Sequence, residues 1–125
     1  MGKYVDWITY KGKRILMVNG AGLGEAKYIE AMEEMKQEIL KEKDGALVLA
    51  NVTGIGMTKG VIDKSKEVVE ATEKAGIPNR LNVVVGLTGL QKAVAQLFGR
   101  GVRFVDTVDQ AKELLAKEGD KPHKR

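Results

Sequence analysis

The residues that could do chemistry gather in three glycine-bearing segments, each of which follows an apolar run. Ile15 to Val18 leads into Asn19-Gly20-Ala21-Gly22-Leu23-Gly24. Ala46 to Val52 leads into Thr53-Gly54-Ile55-Gly56-Met57-Thr58-Lys59-Gly60, and Leu81 to Val85 into Gly86-Leu87-Thr88-Gly89. Glycine lets a backbone approach a phosphate closely, and the amides of a helix's first turn are ready donors for an anion. Thr53, Thr58, Lys59 and Thr88 are therefore the candidate ligand- or partner-binding residues. Two readings follow from the same residues. The turns form a concave site for an anion, nucleotide or lipid head group, or the glycines only relieve tight strand-to-helix connections.

The specific nucleotide motifs are incomplete. In Gly20-Ala21-Gly22-Leu23-Gly24-Glu25 the third glycine of the dinucleotide fingerprint would fall at Glu25, and Gly54 to Gly60 lacks the GxxxxGK[ST] order of a triphosphate loop. No base accompanies Thr53, Thr58 or Thr88, so none reads as a nucleophile. Asp106 and Asp109 are spaced as a metal-binding or acid/base pair could be, although a carboxylate in a helix's first turn has capping as an alternative role. Arg100 and Arg103 flank the last apolar run and could grip an acidic partner or stand in solvent.

Composition removes whole classes of chemistry. The 125 residues include no cysteine, which excludes thiol catalysis, disulfides and cysteine-ligated zinc. The one histidine, His123, lies in a polar tail, so neither a histidine dyad nor a multi-histidine metal site fits inside the domain. Catalytic residues, a metal and a cofactor are accordingly not expected. The net charge of +4 is divided, since Lys121, Lys124 and Arg125 against Asp120 supply half of it. What remains is spread over helices that mix Glu and Lys, unlike the clustered charge of nucleic-acid binders. No apolar run reaches the roughly 18 residues of a membrane span or resembles a signal peptide, so a cytoplasmic protein is expected.

Periodicity supplies the frame. Tyr4 to Tyr10 and Arg14 to Val18, joined at Lys11-Gly12-Lys13, read as a β-hairpin. Glu25 to Lys43 reads as a helix with Ile29, Met32, Met35 or Lys36, Ile39 and Leu40 inward. Leu47-Val48-Leu49 is continuously apolar, as in a strand covered on both faces. A second helix starts at Thr58 or Lys59, carries Val61, Ser65, Val68, Thr72 and Ala75 inward, and stops at Gly76 with Pro78 beyond it. Asn82 to Val85 is a strand, Thr88 caps a short helix ended by Gly99-Arg100-Gly101, and Val102 to Val105 is the last strand. Thr107 and Gln110 have capping-box spacing before a final helix with Val108, Ala111, Leu114 and Leu115 inward. The expectation is one α/β domain over 1–118 with a mixed, mainly parallel sheet, followed by a polar tail over 119–125. Ligands of such sheets lie outside the carboxyl ends of the strands. The exposed hairpin edge and apolar helix faces also raise a homodimer.

Four stretches carry a resemblance. Trp7-Ile-Thr-Tyr-Lys-Gly-Lys-Arg-Ile-Leu16, Leu47-Val-Leu-Ala-Asn-Val-Thr53, Val85-Gly-Leu-Thr-Gly-Leu-Gln-Lys92, and Phe98-Gly-Arg-Gly101 with Phe104-Val-Asp-Thr107 and Ala111-Lys-Glu-Leu-Leu115 resemble a SpoIIAA-like, stand-alone branch of the STAS domain superfamily. The resemblance runs from about residue 4 to 117. It implies a non-enzymatic regulatory or protein-binding module, similar to anti-sigma factor antagonists. In phospho-switch members a serine in an Asp-Ser-Ser-Gly turn, after the central strand, is phosphorylated by a partner kinase. The matching turn is Met57-Thr58-Lys59-Gly60, which lacks both Asp and Ser and makes Thr58 the phosphorylation candidate. A lipid-carrier label attached to the same branch implies instead an apolar groove, for which Met17, Met32, Met35 and Met57 are adaptable linings.

Overall fold

In β1 (Val5–Tyr10), Val5 and Trp7 alternate with Asp6, Ile8 and Tyr10, and that strand pairs antiparallel with β2 (Lys13–Asn19) from Val5↔Val18 to Tyr10↔Lys13. The hairpin turn is only Lys11-Gly12, and both residues have positive φ, 50° and 81°, the conformation that suits a right-twisted two-residue connection. β2 then runs parallel to β3 (Leu47–Asn51), β3 to β4 (Asn82–Val85), and β4 to β5 (Val102–Val105). The sheet order is β1-β2-β3-β4-β5, with β1 at an edge and β3 at the centre. The computed structural model describes residues 4–56, 58–78, 80–86 and 102–119. Met57, Arg100, Thr88 and the short helix expected after Thr88 lie outside the described residues.

Strand alternation divides the core into two layers. Leu16, Val18 and Val48 face α1 (Glu25–Leu40) and α2 (Lys59–Lys74), and pack there with Tyr28, Ala31, Met32, Val61 and Val68. Ile15, Leu47, Leu49, Val83 and Val85 point the other way, against Ala111 and Leu115 of α3 (Val108–Glu118). Leu49 is fully buried and Leu47 and Val48 nearly so, as the continuous apolar run requires of a strand covered on both faces. α3 opens with a complete capping box, Thr107 Oγ1 accepting from Gln110 N and the Gln110 amide oxygen accepting from Thr107 N.

The helices differ from the periodic reading in four places. α1 stops at Leu40 instead of Lys43, because Lys41 N and Glu42 N turn back to the carbonyls of Glu38 and Ile39. Its buried residues are Tyr28, Ala31 and Met32, whereas Ile29, Ile39 and Leu40 are only half covered. Ala75 is the exposed C-cap of α2 and not part of its stripe. Gly119, assigned to the tail by its polarity, is the buried C-cap of α3, where a Cβ would press on the Leu47 side chain. Residues 120–125 lie outside the described residues.

Charged groups lock α1 to α2. Lys36 and Lys64 each reach both Glu33 and Glu67, Lys36 at 2.9 Å to either carboxylate, and both lysine side chains are mostly covered. The hydrogen bond from Lys64, helped by Gln37 and Lys36, holds the Glu33 carboxyl down at about 2. The hairpin is pinned to the same helix. Trp7 Nε1 donates to Glu38 at 3.0 Å, and the Arg14 guanidinium lies 3.7 Å above the Trp7 ring while donating to Glu42.

Two measurements test this frame. Leu49→Ala removes the centre of the layer beneath α3 and should cost about 2–5 kcal/mol of unfolding free energy in denaturant titration. Glu33 has a lower pKa folded than unfolded, so its contribution is complete above the ordinary carboxylate range and disappears as pH falls to about 2. Its side chain is more than a third open to water, which limits the effect to about 1 kcal/mol. Glu33→Gln should therefore be less stable at neutral pH, and the two melting curves should converge near pH 2.

Candidate functional site

Hydrogen bonding of the parallel ladder does not stop where the strands stop. Gly20 N donates to Asn51 O at 2.9 Å and Gly22 N to Thr53 O at 3.0 Å, joining the β2–α1 turn to the β3–α2 turn. Val52 N donates to Val85 O at 2.9 Å, and Gly86 N to Val105 O at 3.1 Å. The Asn51 side chain closes its own turn, with Oδ1 accepting from Thr53 N at 3.2 Å and Thr53 Oγ1 at 2.7 Å. Gly86 has φ of +81°, in the region that favours glycine, and lies directly over Thr53. The first two glycine segments and Gly86 thus meet at the carboxyl edge, through contacts among themselves.

Thr58 is the N-cap of α2. Its backbone is extended, with φ −75° and ψ 166°, and its Oγ1 accepts from Val61 N at 3.2 Å while the residue remains exposed. Lys59 is open to water and bonds Asp63 one turn on at 2.9 Å, an interaction that raises the Lys59 pKa and lowers that of Asp63. Beside them, Gly60 admits a group from the neighbouring helix. A methyl at position 60 would stand 3.2 Å from Glu25 Oε1 and 3.3 Å from Oε2, so the carboxylate of the first turn of α1 lies against the first turn of α2. Tyr28, one turn along α1, is buried with its ring against Gly20, and burial pushes its hydroxyl up to about 12.

The structure therefore brings Thr53, Thr58 and Lys59 to one edge, while Thr88 lies outside the described residues. It also accounts for three of the glycine amides. Gly20, Gly22 and Gly86, together with Thr53 and Ile55, donate to groups of the protein itself, so those amides are committed. The other candidates disperse. Asp109 is in the first turn of α3, Asp106 N donates to Gln110 Oε1, and Arg103 pairs with Glu118 at 3.5 Å. Met17 belongs to the α3 layer and Met32 and Met35 to the α1–α2 layer, so these methionines cannot line a common groove. Among the described residues no cluster of acidic or imidazole groups is arranged to hold a metal, and no helix is long and apolar enough to cross a membrane.

Sequence reasoning missed Asn51, Glu25 and Tyr28. Asn51 carried a readable signal, because Asn two residues before a threonine at a strand end is an Asx-turn pattern. Gly60 carried another, since glycine in a helical turn costs about 1 kcal/mol against alanine and calls for a local reason.

Gly86→Ala tests the closure of this edge. The side chain would be forced into the left-handed region and into Thr53 Oγ1, and a loss of about 1–3 kcal/mol in unfolding free energy is expected. Adding Thr53→Ala should recover part of that loss, which equilibrium denaturation of the wild type and the two variants will measure. No protein-family model and no curated protein matches the chain.

Proposed function

We propose that the protein is a non-enzymatic regulatory module of the STAS, SpoIIAA-like kind, which presents its carboxyl edge to a protein partner and is switched at Thr58. The observation that carries this reading is the position of Thr58, an exposed hydroxyl at the N-cap of the helix that follows the central strand. A kinase would transfer the γ-phosphoryl group of a nucleoside triphosphate to Oγ1. The phosphate so placed meets the positive end of α2, where its oxygens can replace the cap hydrogen bond to Val61 N. The order of the described elements, a hairpin first and then α1, β3, α2 and β4 in alternation with the strands parallel, supports the same reading. The alternative of an anion cradle at the glycine turns is less well supported, since the Gly20, Gly22 and Gly86 amides donate to the protein's own carbonyls.

Thr58 variants decide the matter. Mass spectrometry of the chain purified from its own cells should locate a phosphoryl group on Thr58. A partner captured by Thr58→Ala should be lost with Thr58→Glu, while both variants retain wild-type circular dichroism. An unmodified Thr58 together with equal capture by Thr58→Ala and Thr58→Glu would refute the switch.

A further inference from the structure

Glu25 occupies an unusual electrostatic position. It is in the first turn of α1, whose N-cap, Gly24, offers no side-chain hydrogen bond, and its carboxylate also rests on Gly60 in the first turn of α2. One negative charge thus serves two helix N-termini, each of which attracts anions. Thr58 is two residues before Gly60, at the cap of the second of those termini. Residue 25 is joined to the rest of the edge through its own turn, whose Gly20 and Gly22 amides are bonded to Asn51 and Thr53.

We propose that Glu25 reads the charge on residue 58: a negative group there and the Glu25 carboxylate compete for the first turn of α2, so that modification expels Glu25 and loosens the β2–α1 turn. This rests on the reading of Thr58 as the switched residue and supplies its internal consequence. Gly60 has a role in the device, because its lack of a side chain lets the carboxylate approach the helix backbone. Lys59, the cation at the start of α2, is turned to Asp63. Repulsion between Glu25 and a charged residue 58 is therefore not cancelled by that lysine.

The experiment is a double-mutant cycle on the full chain. Thr58→Asp and Thr58→Asn are both good N-caps and differ in charge, so their difference isolates the charge effect. Each is made in the wild-type background and with Glu25→Gln, and folding constants are measured in 20 mM and 500 mM salt. With Glu25 present, Thr58→Asp should gain less in folding constant over Thr58→Asn than it gains in the Glu25→Gln background. The coupling should reach at least about twofold, the lower end for neighbouring groups, and shrink in high salt. Hydrogen exchange at the Gly22 amide should quicken in Thr58→Asp only when Glu25 is present. A difference between the two position-58 variants that is the same in both backgrounds, or Gly22 exchange indifferent to Thr58→Asp, overturns the proposal. Those results would leave the partner-capture experiment untouched. Conversely, coupling in the cycle with unchanged capture would refute the switch at Thr58 and retain the charge pairing.

Discussion

The carbonyl oxygens of Asn51 and Thr53 hold the functional edge together, and much of what surrounds them is arranged so that two glycine amides can reach them. Central strand β3 has its layers on both sides, and its carboxyl end is where both neighbouring turns are tied. A side chain at Gly20 would strike the Tyr28 ring and the Asn51 carbonyl, and one at Gly86 would strike Thr53. These glycines are matched to each other as much as to the turns they occupy. Gly20, Gly22 and Gly86 spend their amides on the protein itself, and toward the outside this edge offers the side chains at the start of α2.

That economy explains why Thr58 and Lys59 stand out. Thr58 must cap a helix and Lys59 has its partner four residues on, so each has a structural reason to be present. Capping and switching do not compete. A hydroxyl that already faces the amide end of a helix stands where a phosphate would gain most from the dipole.

The frame was legible because its signals are local. Alternation in Tyr4 to Tyr10, the unbroken Leu47-Val48-Leu49 and the Thr107–Gln110 pair each specify an element within a few residues, and the strands and caps formed there. Less legible was anything requiring two distant segments. The burial of Tyr28 depends on the absence of a side chain at Gly20, and the place of Glu25 depends on Gly60, 35 positions away. Likewise, polarity around Gly119 suggested tail, although the contact with Leu47 makes that residue part of the core. Helix ends shifted for a related reason, since α1 terminates in a tightened turn that side-chain periodicity does not encode.

The order in which the sheet is covered bears on how the protein is made. Helices α1 and α2 shelter one face, and they are synthesised before β4 and β5. The opposite face, with Ile15, Leu47, Leu49, Val83 and Val85, receives α3, which follows the five described strands. Until α3 leaves the ribosome, those apolar side chains of an otherwise assembled sheet lack the Ala111 and Leu115 contacts that bury them. Domains of this size generally fold as units, and exposed apolar strand surface invites aggregation. Protection of the nascent chain is therefore needed longest on that face, and a chain cut before Thr107 would carry the same opened surface permanently.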